Sequence, residues 1–342
     1  MDEYISLREP ICLSSDLLAG CNLSNLGEAI ILGPNIIYHS KSSTFYLPDL
    51  HMVGELSRIG ISSNFNTFKY TVTTNEVVLT HKAIFIGSGV DFLFYESLIY
   101  TLAKINFIAN LSPIDKGICF ILNENMSKKT RDFFSQYLLH EFPFSKVFLA
   151  STKYRIVVDD LSVVSINGAQ AISEIHSARN LALVMSLKFA DNSKSYDKIF
   201  LLRNSNLYYD LNWRKPINSF MVEAAAWLFG FKLVDPSQIS VQKAMTLFQQ
   251  AKKIVSYHGG GLTNIIFSSP GTKIVELHSE WMDDCFRDLC EVGTLDYTEF
   301  FFKMNKFNVR VPRRIARFLG KESVKEIRYW YISPFKFFSI FH

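Results

Sequence analysis

Seven short apolar runs, interleaved with six stretches of helical spacing, restrict what this chain of 342 residues can fold into. The runs fall at 82–86 (KAIFI), 117–122 (GICFIL), 146–150 (KVFLA), 198–202 (KIFLL), 231–234 (FKLV), 252–257 (KKIVSY) and 273–277 (KIVEL). Each is short enough for a strand and apolar enough to be covered on both faces, as strands of a parallel sheet are. Apolar residues recur at helical spacing over 92–108, 127–140, 177–189, 219–229, 241–251 and 283–291. Strands alternating with helices of this length form βαβ units, so the expected class is α/β with parallel sheets. The portion before residue 80 is β-rich and lies outside this alternation.

A polar stretch at 190–197 (ADNSKSYD) follows a long helical pattern and divides the chain near its middle. It is the expected linker. Residues 1–190 and 191–312 then each make a Rossmann-like domain, the first with a β-rich start. Residues 313–342 form a basic and aromatic tail, expected to be helical over 312–330. Ligands of such folds bind at the carboxyl ends of the strands, so the expected site is a cleft where two sets of those ends face each other.

Composition narrows the class further. At 48% hydrophobic and 20% charged residues the chain can bury a core, which excludes a disordered tail. Its cysteines (Cys12, Cys21, Cys119, Cys285 and Cys290) are scattered, odd in number and without C-x-x-C pairs. That usage suits a reducing compartment rather than a disulfide framework. The opening MDEYISLREP lacks a basic and apolar leader, and no run reaches the roughly 18 apolar residues of a membrane span. The expectation is a cytoplasmic protein. Charge is unevenly spread: residues 301–342 hold ten basic and two acidic side chains, a net of +8 in a chain whose total is +4. A basic end on a slightly acidic body points to an anionic surface or partner.

The stretch 252–277 (KKIVSYHGGGLTNIIFSSPGTKIVEL) carries most of the chemistry. A buried strand delivers His258 to its carboxyl end. Gly259, Gly260 and Gly261 follow, and Leu262-Thr263-Asn264 opens a helical pattern. Glycines let a backbone approach a ligand closely, and the free N–H groups of a helix start favour a phosphate. Glu276 ends the next strand, where a carboxylate facing the same crevice would accept hydrogen bonds from ribose hydroxyls. A Gly-rich turn between strand and helix also occurs without any ligand.

His258-Gly259-Gly260-Gly261-Leu262-Thr263-Asn264, followed by Phe267, Pro270-Gly271 and Glu276, resembles the H-G-A-G-L-T-N…F…P-G…E signature of glycosyltransferase family 61. The resemblance extends upstream through 198–203 (KIFLLR), Arg214-Lys215-Pro216-Ile217-Asn218 and 231–236 (FKLVDP). Gly260 stands where the family usually has Ala, and Phe92 stands where its amino-terminal helix often has His. The resemblance implies a GT-B fold, two Rossmann-like domains across a cleft, with the donor on the carboxyl-terminal one. It implies an inverting transferase that needs no bound metal and takes a nucleotide sugar, UDP favoured, as substrate. The acceptor would be a surface polysaccharide or lipid-linked glycan of capsule or lipopolysaccharide type.

Roles follow for single residues. The His258 imidazole would contact the diphosphate or sugar and offset charge on the leaving group. Arg203 and Arg214 would clamp phosphate, since guanidinium forks match its oxygens. Asn218 is either a helix cap or a ligand contact, and Thr263 and Asn264 would satisfy the helix start and offer donors to the diphosphate. Inversion needs a base for the acceptor hydroxyl, with Glu96 the candidate and Asp91 the reserve. The basic and aromatic tail would either meet an anionic membrane or pack on the other domain.

Other classes lack their residues. His-Gly-Gly-Gly also occurs in esterases, but no G-x-S-x-G elbow is present. Gly87-Ser88-Gly89 has Phe92 in the third glycine position of a dinucleotide fingerprint. There is no P-loop, H-E-x-x-H or zinc-spaced cluster, and the basic tail lacks a nucleic-acid module. The remaining rival is a catalytically inactive scaffold that binds a glycan or a partner.

Overall fold

The computed structural model describes residues 7–8, 21–32, 37–39, 41, 44–46, 75–88, 91, 94–111, 117–151, 153–166, 171–191, 194–203, 215–279, 284–310 and 324–342. They form two compact units, Met1–Lys188 and Phe189–His342. Both are α/β. No helix among the described residues is long and apolar enough to cross a membrane.

The first unit is built on one mixed sheet. Its strands are β1 (Leu7–Arg8), β2 (Cys21–Ile31), β3 (Ile37–His39), β4 (Thr44–Tyr46), β5 (Glu76–Leu79), β6 (Ala83–Phe85), β7 (Cys119–Asn123), β8 (Lys146–Ala150) and β9 (Arg155–Ile166). The order is β1-β4-β3-β2-β9-β6-β7-β8, with β5 also on β9. From β9 through β8 the strands are parallel, and β2, β3 and β4 extend the sheet antiparallel. Helices α1 (Phe94–Ala109), α2 (Lys128–Glu141) and α3 (Ala171–Phe189) complete the unit. Ser127 starts α2 by accepting the Thr130 N–H at 3.3 Å, which satisfies one orphan donor of the first turn.

The two longest strands, β2 and β9, were not among the seven expected runs. A β-bulge explains why: the register jumps from Gly27 opposite Leu161 to Ala29 opposite Val158, so Asp159 and Asp160 break the apolar run. Gly27 supplies the positive φ of 65° that this bulge needs. Ala29, Phe85, Ile121, Ile156, Val158 and Val163 close into one core.

The second unit is a five-stranded parallel sheet: β10 (Lys198–Leu201), β11 (Lys232–Val234), β12 (Lys253–Tyr257), β13 (Lys273–His278) and β14 (Asp296–Phe301), in the order β11-β10-β12-β13-β14. Between them lie α4 (Ser219–Leu228), α5 (Val241–Gln250), a 3-10 helix (Gly260–Phe267) and α6 (Cys285–Gly293). The first strand sits between the second and third, so the chain reverses direction across the sheet between β10 and β12. In open α/β sheets ligands bind at such switch points, outside the carboxyl ends of the strands.

The tail departs from expectation. Val324–Tyr329 is a strand, β16, paired antiparallel with β15 (Asn305–Arg310), not part of a basic helix. Val324, Ile327 and Tyr329 favour the extended chain, and cross-strand pairing outweighs the helical charge pattern. Residues 311–323 lie outside the described residues. Past β16, Trp330, Ile332, Ile340 and Phe341 are buried in the second unit's own core with Phe200, Phe231 and Tyr257. Part of the aromatic cluster, expected to meet a membrane or to pack on the other domain, is therefore interior to the second unit, whereas Tyr331, Phe335 and Phe338 are exposed.

Candidate functional site

Three strands of the second unit bring their carboxyl ends together. Arg203 lies two residues past β10, His258 directly after β12, and Glu276 near the end of β13. Nη1 of Arg203 donates to the His258 carbonyl. The guanidinium thus lies against the start of the glycine turn, and a β-carbon at Gly259 would overlap it. At φ 155° Gly259 also occupies backbone space that a side chain rarely adopts. Gly261 is held closely as well, because a β-carbon there would stand 2.8 Å from Cγ of Pro236. The glycine string and the FKLVDP strand end therefore meet in space.

Behind the turn His258 is fixed through its ring. Nδ1 of His258 bonds Oε1 of Glu276, and the hydroxyl of Tyr297 on β14 donates to Oε2 at 2.6 Å. Glu276 is 3% exposed and His258 7%. Phe286 of α6 packs edge-on against the imidazole with ring centroids 5.1 Å apart. A carboxylate on Nδ1 selects the tautomer with the proton there. Nε2 is then an acceptor in the neutral ring and a second donor in the imidazolium. Burial, followed by the Glu276 carboxylate, raises the Tyr297 phenol well above its ordinary value, so it stays a donor. The same two causes push the Cys290 thiol up to about 12.

Several expected contacts have other uses. Glu276 was expected to face ribose hydroxyls; both its oxygens instead hold His258 and Tyr297, deep in the unit. Asn218 stands at the cap position of α4, yet its side chain makes no cap bond. Its amide donates to the Ile332 carbonyl at 2.8 Å and accepts the Ile332 N–H at 3.2 Å, pinning the tail to the core. Thr263 is fully buried, and Asn264 Nδ2 donates to the Gly261 carbonyl at 2.9 Å within the 3-10 helix, so its amide is engaged inside that helix and makes no cap bond. Arg214 lies outside the described residues. Tyr297 lay outside the expected runs; the short aromatic and β-branched segment DYTEFF after α6 was the available signal.

The acceptor-side candidates sit in the first unit, after β6. Asp91 is buried, and its Oδ2 accepts the Ser88 N–H at 2.7 Å. Asn123 donates to the Ser88 carbonyl at 2.9 Å. The fully buried Lys104 of α1 donates to the carbonyls of Ile86 and Gly87 at 3.2 and 3.0 Å. Glu96 lies in the first turn of α1 and is partly exposed.

The second unit is thus an open parallel α/β sheet whose switch point carries an arginine, a glycine turn and a carboxylate-held histidine. The sequence model of the family Glycosyltransferase 61 matches residues 105–275, half of the chain. The chain belongs to glycosyltransferase family 61 and is a glycosyltransferase. The matched span includes Arg203 and the His258–Asn264 string and stops one residue before Glu276. No curated protein matches the chain.

Proposed function

We propose that the carboxyl edge of β10 and β12 holds the diphosphate of a nucleotide-sugar donor, UDP-linked by preference, and that the enzyme transfers the sugar with inversion. The observation that carries this reading is the convergence of Arg203, the glycine turn and the Glu276-held imidazole of His258 at the switch point. An arginine beside a glycine turn suits phosphate oxygens, and the start of the Gly260–Phe267 helix adds N–H groups with no partner within the helix. In the reaction an acceptor hydroxyl attacks the anomeric carbon as its bond to the diphosphate oxygen breaks. The His258 ring offsets the charge that grows on that oxygen, and Glu276 keeps the ring oriented. The acceptor proton passes to a carboxylate, for which the partly exposed Glu96 is the candidate and the buried Asp91 the reserve.

On this reading the two units face each other in a GT-B arrangement, the reaction needs no metal, and the acceptor is a surface or lipid-linked glycan built at the cytoplasmic face of a membrane. Calorimetry with UDP, GDP, CMP and dTDP in the presence of a chelator tests it. One nucleotide should bind, and His258→Ala should weaken it by at least about tenfold with the fold intact. Failure of every nucleotide to bind folded wild-type protein would overturn the reading and favour the scaffold alternative.

A further inference from the structure

Helix α4 is apolar on both its inward and its outward face. Its inward face, with Val222, Ala225 and Ala226, packs into the core of the second unit. Its outward face carries Phe220, Met221, Trp227 and Leu228, with Phe220 at 70%, Trp227 at 66% and Leu228 at 74% exposure. With about 100° per residue, these four and Ala224 fall within an arc of about 120°. The one charged side chain of the helix, Glu223, lies outside that arc and pairs with Lys215 at 2.9 Å. The C-terminal turn, made of the short helices Pro334–Lys336 and Phe337–Phe341, adjoins the end of this stripe, because the ring of Phe229 meets those of Phe338 and Phe341 at 6.4 and 5.8 Å. Phe335 there is 95% exposed, next to the exposed Lys336. Among the described residues these side chains stay open to solvent, and an exposed apolar surface of this extent marks an interaction site.

We infer that the outward face of α4, with the adjoining turn, docks the second unit on an anionic lipid surface. Two observations select this occupant. The exposed residues include Phe220, Trp227 and Phe335, aromatic side chains of the kind that settle at the boundary of lipid headgroups and acyl chains. The segment that carries the turn, 301–342, has a net charge of +8, which attracts an anionic surface and opposes docking of a second, equally basic copy. At ten residues α4 is half the roughly 20 needed to span a bilayer, so it lies in the plane of the interface. The inference stands on this surface alone and does not depend on the donor site.

Co-sedimentation of the full chain with vesicles of phosphatidylcholine, with and without about 30% phosphatidylglycerol, tests it. The chain should bind the anionic vesicles and be released by about 0.5 M salt. The double substitution Trp227→Ser with Leu228→Ser should weaken binding at least about tenfold while thermal unfolding stays unchanged. Phe220→Ser with Phe335→Ser, on the same surface, should act alike. Wild-type chain that ignores anionic vesicles would overturn the inference, as would equal binding by both variants. A concentration-dependent dimer abolished by these substitutions, without vesicle binding, would assign the face to self-association instead.

Discussion

Among the described residues, glycines follow the carboxyl ends of parallel strands β6 and β12, and the chain surrounds these two places differently. After β6, the buried polar groups serve the backbone of the turn itself: Lys104 binds the carbonyls of Ile86 and Gly87, while Asp91 and Asn123 bind the two backbone groups of Ser88. After β12, the buried polar groups Glu276 and Tyr297 serve a side chain, the imidazole of His258, and Arg203 holds the turn from its front. A turn whose neighbours satisfy its own peptides is a stable corner. A turn whose neighbours orient a titratable ring is prepared for chemistry, because the cost of ordering that ring is met before any ligand arrives.

Substitutions can break or sharpen this contrast. The largest effect is expected from Glu276→Ala, which strips the partner from His258 Nδ1 and from the Tyr297 hydroxyl. It should lower unfolding free energy by about 3 kcal/mol and also weaken nucleotide binding, seen by denaturant titration and calorimetry together. Lys104→Met, at the other turn, leaves two buried carbonyls without that donor and should cost about 1–3 kcal/mol of stability. Its nucleotide affinity should equal that of the wild type; a parallel loss of affinity would erase the distinction between the two turns. Tyr297→Phe removes one hydrogen bond, expected at about 1 kcal/mol, and should weaken nucleotide binding less than Glu276→Ala does.

The smallest effect lies at alkaline pH. Burial raises Cys290 to about 12 from 9.0, and raises Tyr257 and Tyr297 well above the usual 10.0. These groups hold their protons in the folded chain and release them more readily in the unfolded one. Their stabilising contribution is therefore complete below about pH 9 and is lost as pH climbs through the folded values. Denaturation midpoints should fall above pH 9, and Cys290 should resist alkylation at pH 8 until the protein unfolds.

The strand and helix alternation from 82 to 291 could be read directly, because buried parallel strands are nearly continuous apolar runs and helices declare a 3.6-residue period. The polar interruptions at Asp159-Asp160 and Gly27 hid β2 and β9, since a bulge destroys the period that such reading depends on. The basic segment 324–329 looked helical from its charges alone; its pairing with Asn305–Arg310 is a long-range contact that no local window contains.

At the site the division is similar. Arg203, His258 and the glycine string are recognisable in one dimension because the signature is contiguous and the strand before it is plain. That Glu276 holds the ring of His258, that Asn218 grips Ile332 across 114 positions, and that Tyr297 donates to the other oxygen of Glu276 depend on segments far apart in sequence lying side by side. By itself, the sequence determined the α/β class, the family and which residue types reach the carboxyl edge of the second sheet. Only the tertiary structure decided what each buried polar atom does there, because a donor's partner is chosen by distance in space.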